Sequence, residues 1–119
     1  MLRFRTLVVA AALGAALSVA ASAGAVVPKL NGTVGPGFTI TVKRGTAPVK
    51  LLKAGTYSIT VADKSNIHNF RLKGPGLNRE ITSVAFVGTK TVTVTLRKGR
   101  YTFDCDPHQT IMKGSFTVS

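Results

Sequence analysis

The sequence of 119 residues contains a single cysteine, Cys105, and no tryptophan. An intrachain disulfide is therefore impossible, although small exported domains commonly depend on disulfides for stability. A free thiol in an oxidising compartment reacts unless it is buried or held by another group, because its thiolate form is nucleophilic. Cys105 is accordingly the first residue that requires an explanation.

Acidic side chains are also scarce: the sequence has 4 Asp and Glu against 16 Lys and Arg, for a net charge of +12. Such a charge accelerates encounters with acidic proteins, anionic lipids or nucleic acids without selecting among them. The cations are scattered and are not interleaved with aromatic residues, which disfavours nucleic acid. We therefore expect acidic partners, with a basic surface that only maintains solubility as the alternative.

Long apolar runs are confined to the N-terminus, where Arg3 and Arg5 precede an apolar stretch at 7–20 and small residues follow it. This order is typical of a secretory signal peptide. The stretch is also shorter than the roughly 20 residues that a membrane-crossing helix needs. We predict that residues 1–25 are removed on export to the periplasm or the medium. Residues 26–119 then form a single domain without a transmembrane segment.

Beyond the N-terminal segment, apolar and polar residues alternate with a period of two, as in strands with one buried face. One such series places Phe38, Ile40 and Val42 on a common face. Gly-Pro-Gly turns at 35–37 and 74–76 belong to a regular set of turn signals. The pattern predicts six to eight short strands in an antiparallel sandwich or barrel. Leu77 to Gly88 fits an irregular strand, a loop or one helical turn.

The C-terminal third carries the residues with distinctive chemistry. Continuing the alternation from Tyr101 and Phe103 points Cys105 into the interior at the end of its strand. Proline cannot donate to a strand ladder, so Pro107 ends the strand pairing. The short loop that follows carries His108 and then Met112. The spacing therefore predicts that a thiolate, an imidazole and a thioether lie together at one end of the sandwich.

The other histidine of the chain, His68, shares its strand parity with Phe70 and Leu72 and is expected to face the core side. Together with Cys105 and His108 it supplies two imidazoles and one thiolate. Trigonal sites of this kind, with a long axial bond to methionine, are blue-copper electron-transfer sites. The residue types therefore indicate a site for one copper ion.

These motifs resemble those of the cupredoxin family, the plastocyanin, pseudoazurin and amicyanin branch in particular. The resemblance covers nearly all of the chain after the predicted signal peptide. It runs through His68-Asn69-Phe70, the turn at 74–76 and Cys105-Asp106-Pro107-His108 with Met112-Lys113-Gly114 downstream. It implies an all-β Greek-key sandwich or barrel of seven or eight strands. It also implies His68, Cys105 and His108 as equatorial ligands, Met112 as the axial ligand, and Asn69 as a hydrogen-bonding residue beside the cysteine strand.

The resemblance implies an exported type 1 copper protein that carries one electron by cycling between Cu(II) and Cu(I). We expect a monomer whose partners are acidic redox proteins, such as an exported cytochrome or a copper oxidase. Pro107, Ile111 and the 35–37 loop are expected to surround an exposed edge of His108 for docking. A periplasmic copper carrier or sequestering protein with the same ligands is the alternative.

Two other readings of the same residues are weaker. Cys105 and His108 could form a nucleophile and base, but the chain has no third histidine and no evident orienting group, so we predict that it is not an enzyme. Zinc held with Asp106 is chemically permissible, although structural zinc sites usually contain several cysteines.

A carboxylate near copper favours Cu(II), so Asp106 is expected to lower the reduction potential and Asp106→Asn to raise it.

Overall fold

The computed structural model describes residue 14 and residues 26–119, so the predicted signal peptide lies outside the described residues except for Gly14. Two five-stranded sheets pack face to face, with strand orders β3-β2-β1-β5-β8 and β4-β10-β9-β6-β7. Within the described residues no helix is long and apolar enough to cross a membrane. The strands are β1 (Lys29–Val34), β2 (Ile40–Arg44), β3 (Ala47–Pro48), β4 (Leu51–Leu52), β5 (Gly55–Asp63), β6 (Phe70–Gly74), β7 (Leu77–Thr82), β8 (Gly88–Leu96), β9 (Gly99–Asp104) and β10 (Lys113–Val118).

The predicted all-β sandwich is confirmed, with two differences in detail. The described part of the chain forms ten strands, where seven or eight were expected, because β3 and β4 add two short edge strands of 2 residues each. The sheets are also mixed: β1 pairs with β5 and β10 pairs with β4 in parallel, and the other pairings are antiparallel. Parallel neighbours need a long connection, and the chain provides one by passing through β2, β3 and β4 between β1 and β5.

Alternation of side chains fills the space between the sheets as expected. In β5, Tyr57, Ile59 and Val61 are buried, and the residues between them are partly exposed. Aromatic rings stack across the second sheet, with centroids 6.0 Å apart for Phe70 and Phe103. Burial of such large apolar side chains supplies most of the driving force for folding. The remaining core includes Leu30, Val34, Val42, Leu52, Leu72, Ile81, Val92, Val94, Leu96, Tyr101, Phe116 and Val118.

The structure decides one alternative that the sequence left open and corrects one prediction. The segment Leu77 to Gly88, for which the sequence allowed a strand, a loop or a helical turn, forms strand β7 up to Thr82. A turn then leads to β8 at Gly88. The expectation that Phe38 lies on the buried face of a strand is wrong, since its side chain is 55% exposed. Pairing between β1 and β2 begins only at Val34 with Ile40, so Phe38 lies in the preceding loop.

The strand directions give the sandwich two distinct ends. The loops at 35–39, 64–69, 83–87 and 105–112 lie together at one end, which we call the site end. The opposite end, called the far end, contains the starts of β1, β5 and β9 and the ends of β2, β8 and β10. All the sequence-predicted site residues lie at the site end.

Candidate metal centre

Three potential ligand atoms converge at the site end. The Cys105 Sγ lies 3.7 Å from the Nδ1 of His68 and 3.5 Å from the Nδ1 of His108. The two Nδ1 atoms are 3.1 Å apart. His68 and Cys105 are fully buried, whereas His108 is only partly buried. The structure therefore brings together the three residues from the two sequence segments that were predicted to meet.

The size of this triangle can be compared with metal–ligand bond lengths. A triangle with sides of 3.1, 3.5 and 3.7 Å has a centre about 2 Å from each corner. Bonds from a divalent metal to imidazole nitrogen and to thiolate sulfur are about 2.0–2.3 Å long. Two imidazoles and one thiolate in a trigonal arrangement are the ligand set of a blue-copper site. The residues present therefore fit one copper ion.

Backbone hydrogen bonds fix the loop that carries Cys105, His108 and Met112. The His108 amide donates to the Cys105 carbonyl at 3.0 Å, and the Met112 amide donates to the His108 carbonyl at 2.8 Å. The Cys105 amide donates in turn to the Met112 carbonyl at 3.1 Å. Pro107 lies in the first turn of the intervening 3₁₀ helix, where its missing N–H is not needed. The polypeptide itself therefore holds the donors in place.

Met112 lies at the base of the same loop, and its side chain is fully buried. It belongs to the core cluster that also contains Cys105. Its backbone pairing with Cys105 places the two residues side by side where the loop rejoins the sheet. Met112 is thus positioned beneath the loop, on the core side, and not at the surface.

Phe38 covers the two imidazoles from the loop between β1 and β2. Its ring meets His68 edge-on at a centroid distance of 5.2 Å and His108 at 5.0 Å. The same loop approaches His68 closely at Gly35, which has a φ of 72°. A Cβ at Gly35 would lie 3.3 Å from the His68 ring, so this close approach, like the positive φ, favours glycine here. An apolar shell of this kind restricts the access of water to a metal site.

A network of polar side chains borders the site beside Cys105. The amide of Asp106 donates to the Asn69 side-chain oxygen at 2.7 Å, and the Asn69 Nδ2 donates to the Asp106 carboxylate at 2.8 Å. The Arg71 Nε lies 3.0 Å from both carboxylate oxygens of Asp106. Glu80 completes the network through Asn69 at 2.9 Å and Arg71 at 3.6 Å. Strand β6 is thereby tied to the loop that follows Cys105.

The network also sets the charge of Asp106. Burial raises the pKa of this carboxyl, but hydrogen bonds from Asn69 and Arg71 lower it, and the positive charges of Arg71 and Lys73 lower it further. The net pKa is held below the ordinary value of 3.8. Because the pKa is lower in the folded than in the unfolded protein, ionised Asp106 stabilises the folded state at pH values above the ordinary pKa. This stabilisation is lost as the pH falls through the lowered pKa. Asp106 is therefore an anion at neutral pH, with the guanidinium of Arg71 against it.

Exposed apolar side chains lie at the same end of the sandwich as His108. Of the residues expected to surround it, Pro107, Pro36 and Ile111 are exposed, the last by 64%. Phe38 and Ile67, which were not predicted to belong here, add exposed apolar area at the same end. The position of Phe38 immediately after a Gly-Pro-Gly turn was a signal for a loop.

Arg71 was also missed by the sequence reasoning. It alternates with the buried Phe70 and Leu72, so strand parity could have placed it on the outer face of β6. β6 pairs with β9, with Arg71 opposite Asp104. Its contact with Asp106 depends on how the loop after β9 folds back, and the sequence pattern alone does not give that.

Comparison with known proteins found a matching family model and solved structures with a similar fold. A family model described as copper binding proteins, plastocyanin/azurin family, matches residues 33–119. Among solved structures, a rusticyanin variant shares 24% identity over 76% of each chain with a TM-score of 0.57. Rusticyanin from Thiobacillus ferrooxidans gives 22% identity over 76% of each chain with a TM-score of 0.56. Reduced rusticyanin gives 22% identity and a TM-score of 0.53, over 76% of this chain and 78% of its own. No protein of curated function matches.

Proposed function

Because the chain belongs to the plastocyanin/azurin family of copper-binding proteins, we propose that it is an exported type 1 copper protein carrying one electron between redox partners. The resemblance to cupredoxins is thereby confirmed, and the family together with the His68, Cys105 and His108 cluster supports one copper ion as cofactor. Family membership also fits a protein that is not an enzyme. One-electron transfer and export are our proposal. The observation that carries the electron-transfer role is the triangle of ligand atoms.

Within this proposal the protein contributes a fixed set of donors. His68 and His108 would hold the copper ion through their Nδ1 atoms and Cys105 through its thiolate, Met112 would add its thioether, and Asn69 would be the hydrogen-bonding residue beside the cysteine loop. Bound copper would supply a one-electron couple between Cu(II) and Cu(I). Donors that the backbone already holds in place have little to rearrange when the charge of the site changes. That favours rapid electron transfer over metal release.

The partly exposed ring of His108 provides the route to a partner. Phe38 contacts this ring, and the exposed apolar residues Ile67, Pro107 and Ile111 lie at the same end. An apolar surface around a redox centre allows close approach of a partner, since little polar area has to be desolvated. The exposed cations Lys64 and Lys113 lie at the same end and suit an acidic docking face on a redox protein such as an exported cytochrome or a copper oxidase.

Export is part of the proposal and rests on the N-terminal sequence. Arg3 and Arg5 followed by an apolar run are typical of a signal peptide. Both described sheets lie within residues 26–119, which supports removal of residues 1–25 as part of the proposal. We propose a monomer in the periplasm or the medium.

Titration of the purified protein with Cu(II) tests the function. An intense blue colour from thiolate-to-copper charge transfer, bleached by ascorbate and restored by oxidation, is expected at one copper per chain. Cys105→Ser should abolish the colour, because serine lacks the thiolate that gives the charge transfer. A pale complex that exchanges its metal rapidly with a chelator would instead indicate a copper carrier or sequestering protein.

A further inference from the structure

The charged side chains are distributed very unevenly between the two ends of the sandwich. The four acidic residues of the sequence all lie in the half nearer the site end: Asp63, Glu80, Asp104 and Asp106. Among the described residues, the charged side chains at the far end are all Lys or Arg, and all are exposed. They are Lys29, Lys43, Arg44, Lys50, Lys53, Arg97, Lys98 and Arg100.

These cations are not neutralised within the described structure. The ion pairs found there join Arg71 to Asp106 and Glu80, and Lys73 to Asp104. No far-end cation of the described residues takes part in one. Arg100 donates only to the uncharged hydroxyl of Ser115, at 2.9 Å. The positive potential of the far end is therefore available to an external anionic surface.

Exposed apolar side chains lie among the cations. Leu51 is 66% exposed, and Val26, at the point where the chain enters the fold, is 89% exposed. An open groove of about 720 Å³ lies between β2, β4 and β5, and its lining includes Arg44, Leu51 and Lys53. Amphipathic helices bind membrane interfaces because anionic lipids attract their Lys and Arg and the acyl boundary accommodates their apolar side chains. The same two forces can act on this surface.

We propose that the far end binds an anionic phospholipid surface. Its cations are spread around the rim of both sheets and do not converge on one pocket, so a broad surface of negative headgroups can engage them together. Binding in this orientation directs the site end away from the bilayer and leaves the apolar surface around His108 free for a redox partner. Val26 and Val27, which lead into β1, also lie exposed at this end.

Sedimentation with sucrose-loaded vesicles tests this proposal on residues 26–119, which contain both sheets and the whole described core. The chain is expected to bind vesicles of equimolar phosphatidylglycerol and phosphatidylcholine and not vesicles of phosphatidylcholine alone. Each cation near an anionic surface contributes about fivefold to partitioning. Lys53→Glu/Lys98→Glu should therefore reduce binding by at least about 25-fold. Raising the salt concentration should weaken binding as it screens the charges.

The matched control is Lys64→Glu/Lys113→Glu, which changes the net charge equally but at the site end. All four lysine side chains are exposed and form no ion pair within the described structure. The control should retain most of the binding. Equal loss in both variants, or no loss in the far-end variant, would overturn the proposal. So would complete competition by millimolar inorganic phosphate, which would indicate a free-anion site, or equally tight binding to polyglutamate, which would indicate an acidic protein. The test needs no metal, so its outcome is separate from that of the copper titration.

Discussion

The two ends of the sandwich are made of the same strands but differ in almost every physical respect. At the site end, loops of five to eight residues carry the metal-binding donors, all the acids lie in that half, and several exposed side chains are apolar, among them Phe38, Ile67 and Ile111. At the far end, the connections are tight, and exposed Lys and Arg dominate. A sandwich fixes its own stability through the core between the sheets, so the loops at each end are free to specialise. Binding of metal and binding of a surface can thus be altered independently.

We expect a change in core packing to lower the free energy of unfolding without altering metal binding. This should be the largest of the predicted effects. Leu96→Ala removes a fully buried side chain at the far end of β8. Such truncations cost about 2–5 kcal/mol, measured as the change in the free energy of unfolding in urea. The copper spectrum should be unchanged. The matched control Leu51→Ala truncates an exposed leucine and should shift stability by less than about 0.5 kcal/mol. A spectrum altered by Leu96→Ala would show that the two ends are coupled.

Electron transfer should respond to charge at one end only. Lys64→Glu/Lys113→Glu is expected to slow reduction by an acidic c-type cytochrome by about tenfold at low ionic strength, because it reverses the charge beside the docking surface. Stopped-flow absorbance measures this rate. Lys53→Glu/Lys98→Glu, with the same change in net charge at the far end, should slow it much less. Equal slowing would mean that overall charge matters and the docking surface does not.

The smallest effect concerns the charges beside the copper site. Arg71→Met leaves the Asp106 carboxylate without the guanidinium that lies 3.0 Å from it. The uncovered negative charge should favour Cu(II) and lower the reduction potential, by an amount on the order of tens of millivolts. Asp106→Asn should raise the potential, and Arg71→Lys should restore most of the parent value. Spectroelectrochemical titration measures all three. Shifts of the same sign in Arg71→Met and Asp106→Asn would contradict this electrostatic explanation.

Much of this arrangement could be predicted from sequence, because strand parity and turn residues are local signals. Parity correctly placed Cys105, His68 and the core residue Phe103 on the inner side. The pattern failed at Phe38, because alternation continues across the turn at 35–37 although pairing has not yet begun there. The composition gave the number of cations but not their segregation, which depends on strand order and direction and therefore on long-range pairing.

The site residues illustrate the same limit. Spacing along the chain suggested that His108 and Met112 follow Cys105 in one loop, since they are separated by few residues. The contribution of His68 was inferred from its parity with Phe70 and Leu72 and from its being the only other histidine of the chain. The structure places it in the loop just before β6. The Arg71 contact with Asp106 could not be anticipated, because it joins residues that neither sequence distance nor parity relates.

The hydrogen bonds that close the Cys105 loop have a consequence for the order of maturation. The backbones of Cys105, His108 and Met112 bond to one another, and the side chain of Asn69, just before β6, accepts a bond from the Asp106 amide. All of these bonds are made by the polypeptide. We therefore expect the site to form as the chain folds and the ion to be acquired afterwards.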